Sequence, residues 1–163
     1  MEFGLRPAAF SGVVGGIIMV MVGKLMKLVG MSLQLNIVRM WGAMLGLRGV
    51  PQLIASWGIH LIVSATIGIV YAGIFSLAGA ARRTWLWGFS IGVVHWIFGG
   101  FFLAMTSANR PEGAEERQAP GPFAMNFGLD DVITFLLAHL VFGTVVGMLY
   151  PRFVPRRRRI WSR

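Results

Sequence analysis

Charged side chains are absent from four long stretches of this chain: Ala8 to Gly23, Ile54 to Ala81, Thr84 to Ala108 and Val132 to Tyr150. Between them the sequence turns polar or basic. A helix crosses the hydrocarbon layer of a bilayer with about 20 predominantly apolar residues, and the last three stretches meet that length. The first does so when Lys24 bends its ammonium outward and leaves its stem in the apolar layer, which extends the span to Leu28. The pattern predicts an all-α, polytopic membrane protein with one four-helix domain over residues 1–163. Its spans are expected at about 8–28, 51–79, 84–107 and 131–150, followed by a basic tail at 151–163.

The connections differ in character. Val29 to Val50 is largely apolar, interrupted by Gln34, Asn36 and Arg39, and predicts a helix lying in the interface or re-entering the bilayer, with Gly30 and Gly49 as its breakers. Ser107 to Gly128 is polar and rich in Pro, Gly and Glu, the segment suited to meeting a water-soluble partner. The turn at Ala80-Ala81-Arg82-Arg83 is tight enough to make the second and third spans antiparallel neighbours.

One repeat stands out. His60-Leu-Ile-Val-Ser-Ala-Thr-Ile-Gly-Ile-Val-Tyr71 aligns without gaps on His139-Leu-Val-Phe-Gly-Thr-Val-Val-Gly-Met-Leu-Tyr150. A weaker match at an offset of eighty pairs Gly12-Val-Val-Gly-Gly-Ile17 with Gly92-Val-Val-His-Trp-Ile97, which puts Gly15 in the place of His95. Together they predict a duplicated two-helix hairpin, its copies related by an axis along the membrane normal. Each span also carries small residues four apart, Gly12/Gly16, Ser64/Gly68, Gly88/Gly92 and Gly143/Gly147, the spacing that lets helices approach closely in lipid.

Composition and charge sharpen this picture. With 56% apolar and 13% charged residues, against about 25% charged in soluble domains, a water-soluble fold is excluded. The net charge of +9 does not point to nucleic acid, because Arg152, Arg156, Arg157, Arg158, Arg159 and Arg163 cluster directly after the last span. There they would bind anionic lipid headgroups and hold the tail in the cytoplasm. With Arg6, Arg82 and Arg83 on the same side, they outweigh Lys24, Lys27, Arg39, Arg48, Arg110 and Arg117 opposite, so both termini are expected on the cytoplasmic face of a bacterial inner membrane. No small-residue cleavage pattern follows the first span, which is expected to remain as an anchor. The absence of cysteine excludes disulfides, thiolate nucleophiles and cysteine-ligated metals.

The chemistry within the spans is histidine. From a 1.5 Å rise per residue, His95 and His139 each lie about 15 Å from the cytoplasmic boundary and would meet near the bilayer midplane. Each is followed four residues later by a glycine, Gly99 or Gly143, which clears space on the same helix face. Buried histidines in a membrane are functional candidates by default. Here they suit either a haem with two axial imidazoles or a chlorin using one, or plain interhelical hydrogen bonds, with Thr66, Thr106, Thr134 and Thr144 as partners. His60 is a third candidate ligand, expected to lie shallower than His139. Met40 and Met44, one turn apart, form a candidate soft-metal pair for Cu(I). Asp130 and Asp131 open the last span, where carboxylates complement the helix dipole. Tyr71 and Tyr150 are expected as interfacial anchors, with Trp41 and Trp57 at the outer boundary.

Met40-Trp-Gly-Ala-Met-Leu-Gly46, Gly58-Ile-His-Leu61 and Ala138-His-Leu-Val-Phe-Gly-Thr-Val-Val-Gly-Met-Leu-Tyr150 give the chain a further aspect. It resembles a family of small uncharacterised four-helix bacterial inner-membrane proteins with a glycine-rich histidine motif in helices two and four. The resemblance implies a fold and a membrane location and brings no activity. No nucleophile–base–acid set can be assembled, so an enzyme is not expected. The sequence favours an accessory or structural subunit of a larger membrane complex, such as a respiratory or photosynthetic one. A haem- or chlorin-binding protein using His95 and His139 is the alternative, and a small transporter or copper-handling protein the third reading.

Overall fold

A computed structural model describes residues 3–80, 82–108 and 119–154. The described residues are helical throughout, in five α-helices: α1 (Leu5–Leu28), α2 (Ile37–Met44), α3 (Gly49–Leu77), α4 (Thr84–Ala108) and α5 (Leu129–Phe153). A short 3-10 segment, Pro122–Phe127, precedes α5. Four of the helices are long and apolar enough to cross a membrane, and the protein is a multi-pass membrane protein. In hydrocarbon every backbone N–H and C=O must be satisfied within the segment, which leaves the helix as the form these charge-free runs can take. Their ends carry local signals. Beyond α1 and α3 the chain reverses through Gly30 and Gly79, at φ +95° and +63°. The following amides then bond back to Met26 and Phe75 carbonyls at 3.1 and 2.9 Å.

The helices pair as two hairpins, α1 with α3 and α4 with α5. Glycine makes both contacts possible. A Cβ on Gly12 would strike the Ser64 carbonyl and come 2.9 Å from Gly68 Cα. In the second hairpin a Cβ on Gly88 would strike the Gly143 carbonyl and come 3.2 Å from Gly147 Cα. These contacts correct the register of the repeat. Ala8, Gly12 and Gly16 occupy the places of Thr84, Gly88 and Gly92, one helical turn away from the sequence match at an offset of eighty. The residue standing where the second copy has His95 is therefore Met19, not Gly15.

The hairpins join through α1 against α5. The repeat would call for an equivalent interface between α4 and α3, and here it fails: α3 and α4 meet only sparsely despite the short turn between them. The expectation that these two spans are packed neighbours is corrected. Turn length brings their ends together, but the close α1–α5 contact sets the angle between hairpins and spreads α3 from α4. The buried core accordingly lies on the α5 side, in Ala8, Tyr71, Phe75, Phe142, Val146 and Tyr150.

Helix α2 is the short helix expected in the first connection. It packs on α3 through Gly42, whose amide donates to Ser56 Oγ at 3.0 Å, and Asn36 caps its first turn through the Arg39 amide at 3.0 Å. The segment leading into it is fastened from the far end of the chain. Asp131, 2% exposed, accepts from the amides of Gln34 and Leu35 at 3.1 and 2.8 Å. Asp130 accepts from Ser32 at 2.9 Å. The 3-10 segment folds back under the bundle, with Phe123 against Gly100 and its ring 4.6 Å from that of Trp96.

Candidate functional site

Where α3 and α4 diverge, a cavity of about 320 Å³ opens, and all three histidines line it. His60 comes from α3, His95 from α4 and His139 from α5. Met19 of α1 adds a thioether at the position that corresponds to His95. Apart from Ser64, whose hydroxyl donates to the His60 carbonyl at 2.7 Å, the rest of the wall is apolar and largely aromatic: Trp41, Phe98, Phe102, Phe135 and Phe142 among others. Trp41 and Phe102, with ring centroids 5.2 Å apart, close the α2 end across the gap between α3 and α4. Phe98 is 69% exposed, so the cavity reaches the lipid-facing side of α4.

Each imidazole has one nitrogen engaged. His139 Nδ1–H donates to the Phe135 carbonyl one turn back at 2.7 Å. His60 Nε2–H donates to the Gly16 carbonyl across the α1–α3 contact at 3.1 Å. His95 Nδ1 lies 3.4 Å from the Tyr71 hydroxyl. The rings of His95 and His139 meet edge to face, with centroids 4.6 Å apart and planes at 75°.

His95, His139 and His60 are thus brought to one site, His60 included despite its expected shallower depth. The arrangement differs from the sequence reading in several ways. A macrocycle with two axial imidazoles needs them on opposite faces of its plane; His95 and His139 touch, so no plane passes between them. Gly99 makes room not for His95 on its own helix but for His139 of α5: a Cβ there would lie 2.9 Å from His139 Nε2. None of the four threonines bonds a histidine. Thr66, Thr106 and Thr144 return to carbonyls of their own helices and Thr134 reaches Met31 Sδ, as hydroxyls in apolar helices tend to do. Tyr71 and Tyr150 are 1% and 0% exposed and serve the core, Tyr150 accepting from the Gly4 amide at 3.2 Å. Trp41 likewise lines the cavity.

Met40 and Met44 stay apart from this site. Met40 packs against the Leu103, Ala124 and Phe135 cluster, and Met44 is exposed. Among the described residues no three His, Asp or Glu side chains are placed to hold a metal. Arg152 is exposed after the last span, whereas Arg156, Arg157, Arg158, Arg159 and Arg163 lie outside the described residues, as does most of the polar connection before Pro122.

Sequence reasoning missed Met19 and Asp131. Met19 was hidden by the register error, which the recurrence of glycine at four-residue intervals invites. Asp131 has its partners about a hundred positions away, beyond the reach of any local motif. A second cavity of about 280 Å³, lined by Lys24, Lys27 and Asp131, shares Met19, Ile37 and Phe135 as walls with the histidine cavity. Searches for similar proteins give no matching family model, no curated protein and no solved structure.

Proposed function

We propose that this protein is a non-enzymatic binding subunit of a bacterial inner membrane. On this reading the cleft between α3 and α4 holds a small apolar molecule by its polar end. One observation carries it: imidazoles from three helices line a single apolar cavity at the place where the repeat would otherwise have closed a helix interface. Its volume sits at the small end of ligand pockets, and apolar walls with a few converging polar groups are the usual composition of such sites. Trp41, whose ring forms part of the wall, keeps its Nε1 buried without a partner among the described residues, a state that costs about 1–3 kcal/mol.

The test is extraction from native membranes in mild detergent, followed by mass spectrometry of bound small molecules and an absorption spectrum. A stoichiometric apolar compound, lost on Gly99→Val, supports the reading. Empty protein from every preparation refutes it. The spectrum checks the macrocycle alternative directly: a haem with two axial imidazoles would require His95 and His139 to separate, whereas a chlorin would use one of them.

Membership of a larger complex is a second reading, favoured by the exposed apolar surface of α4, where Phe89, Val94, Phe98 and Phe101 face outward. Stoichiometric co-purifying membrane subunits would support it, and a monodisperse free protein would count against it. The arginine bias supports a cytoplasmic side for both termini on this reading.

A further inference from the structure

We propose that the histidine cavity selects an aromatic ring bearing a hydroxyl, a phenol or hydroquinone, over the corresponding ether or ketone. This rests on the reading of the cavity as a ligand site and adds the chemical class. A neutral imidazole has one N–H and one lone pair, so fixing one nitrogen fixes the other. The neutral form is the one an apolar intramembrane cavity without a nearby carboxylate favours.

A carbonyl oxygen only accepts. His139 Nδ1 therefore carries the hydrogen it gives to Phe135, and Nε2 is left as a lone pair. That nitrogen lies against Gly99, whose missing side chain gives the ring its room, and both residues line the cavity. His95 is set the opposite way. The buried Tyr71 hydroxyl has His95 Nδ1 as its partner at 3.4 Å; with that hydroxyl donating, Nδ1 accepts and Nε2–H is left as a donor. The two rings are in contact and both line the cavity, so an acceptor and a donor belong to one wall.

A hydroxyl satisfies both. It donates to His139 Nε2 and accepts from His95 Nε2–H. An ether or ketone oxygen only accepts, and leaves the His139 lone pair unpaired. The aromatic body follows from the walls: Phe98, Phe102, Phe135 and Phe142 present ring faces and edges to whatever enters.

The experiment titrates the detergent-solubilised full chain with 4-propylphenol and with its methyl ether, 4-propylanisole, at matched free concentrations. The phenol is expected to bind roughly tenfold more tightly, the worth of one added hydrogen bond together with one avoided orphan. In His139→Leu, checked for folding by its melting temperature, the preference should shrink to about twofold or less. Equal binding of the two probes by the unaltered protein overturns the proposal and leaves the cavity a ligand site. Binding of neither overturns the ligand site itself. Because the probe pair decides on the unaltered chain, the proposal stays testable even where the variant fails to fold.

Discussion

Replacing Asp131 with asparagine should loosen the segment that carries α2 over the histidine cavity. In the native protein each carboxylate oxygen takes one backbone amide, Leu35 at 2.8 Å and Gln34 at 3.1 Å. An asparagine keeps one acceptor and turns an NH2 toward the other amide, so one bond becomes neutral and one becomes a donor facing a donor. A hydrogen bond to a charged group contributes about 1.5–3 kcal/mol. The lost bond and the weakened one together come to about 3 kcal/mol, with solvent at the exposed Gln34 recovering part of the remainder. At 1.4 kcal/mol per decade, local opening becomes roughly 150-fold more frequent. Hydrogen–deuterium exchange reads this directly, as faster exchange over residues 34–36 while the mid-span amides of α5 stay protected. Asp130→Asn, which touches only the exposed Ser32 amide, should have a much smaller effect. A change below about threefold at Gln34 and Leu35 in Asp131→Asn would refute the view that this carboxylate fastens the segment.

Four further outcomes follow from the same contacts. Gly99→Ala places a methyl 2.9 Å from His139 Nε2 and 3.1 Å from Phe135 Cζ, and phenol titration should show at least tenfold weaker binding, since the added carbon covers the acceptor. Gly12→Val and Gly88→Val each drive a side chain into a backbone carbonyl across a hairpin, so the melting temperature should fall by more than the roughly 1–3 kcal/mol of ordinary overpacking implies. Gly23→Ala and Gly73→Ala meet nothing within 4 Å and should be neutral or stabilising by up to about 1 kcal/mol in the same assay. Because the chain has no cysteine, Ser162→Cys gives a single label site; a membrane-impermeant maleimide should reach it only from the cytoplasmic side, and labelling from outside would overturn the assigned orientation.

The four crossings were legible because absence of charge over a bilayer's length is a signal that needs no tertiary information. Helix α2 was legible from its apolar connection, although the glycines expected to bound it fall elsewhere: Gly30 turns the chain after α1, Gly49 opens α3, and Asn36 caps α2. The geometry between helices was not. The turn at Arg82 and Arg83 says that α3 and α4 share an end, but the glycine contacts of Gly12 with Ser64 and of Gly88 with Gly143 decide how the hairpins lean. The three histidines were legible as candidates because ionisable residues are rare in such sequence. Their convergence depends on the α1–α5 contact, and the orientation of each ring depends on which carbonyl or hydroxyl a neighbouring turn offers.

The gap between α3 and α4 also determines how occupancy should be reckoned. A cavity that opens sideways draws on molecules dissolved in the bilayer, not in water. An apolar body of six carbons gains about 5 kcal/mol on leaving water, a local enrichment of roughly three thousandfold. A site with only millimolar intrinsic affinity would then be half filled at a submicromolar aqueous level, about 0.3 µM. Such a protein needs few directed contacts, because the membrane does the concentrating and the histidines have only to choose.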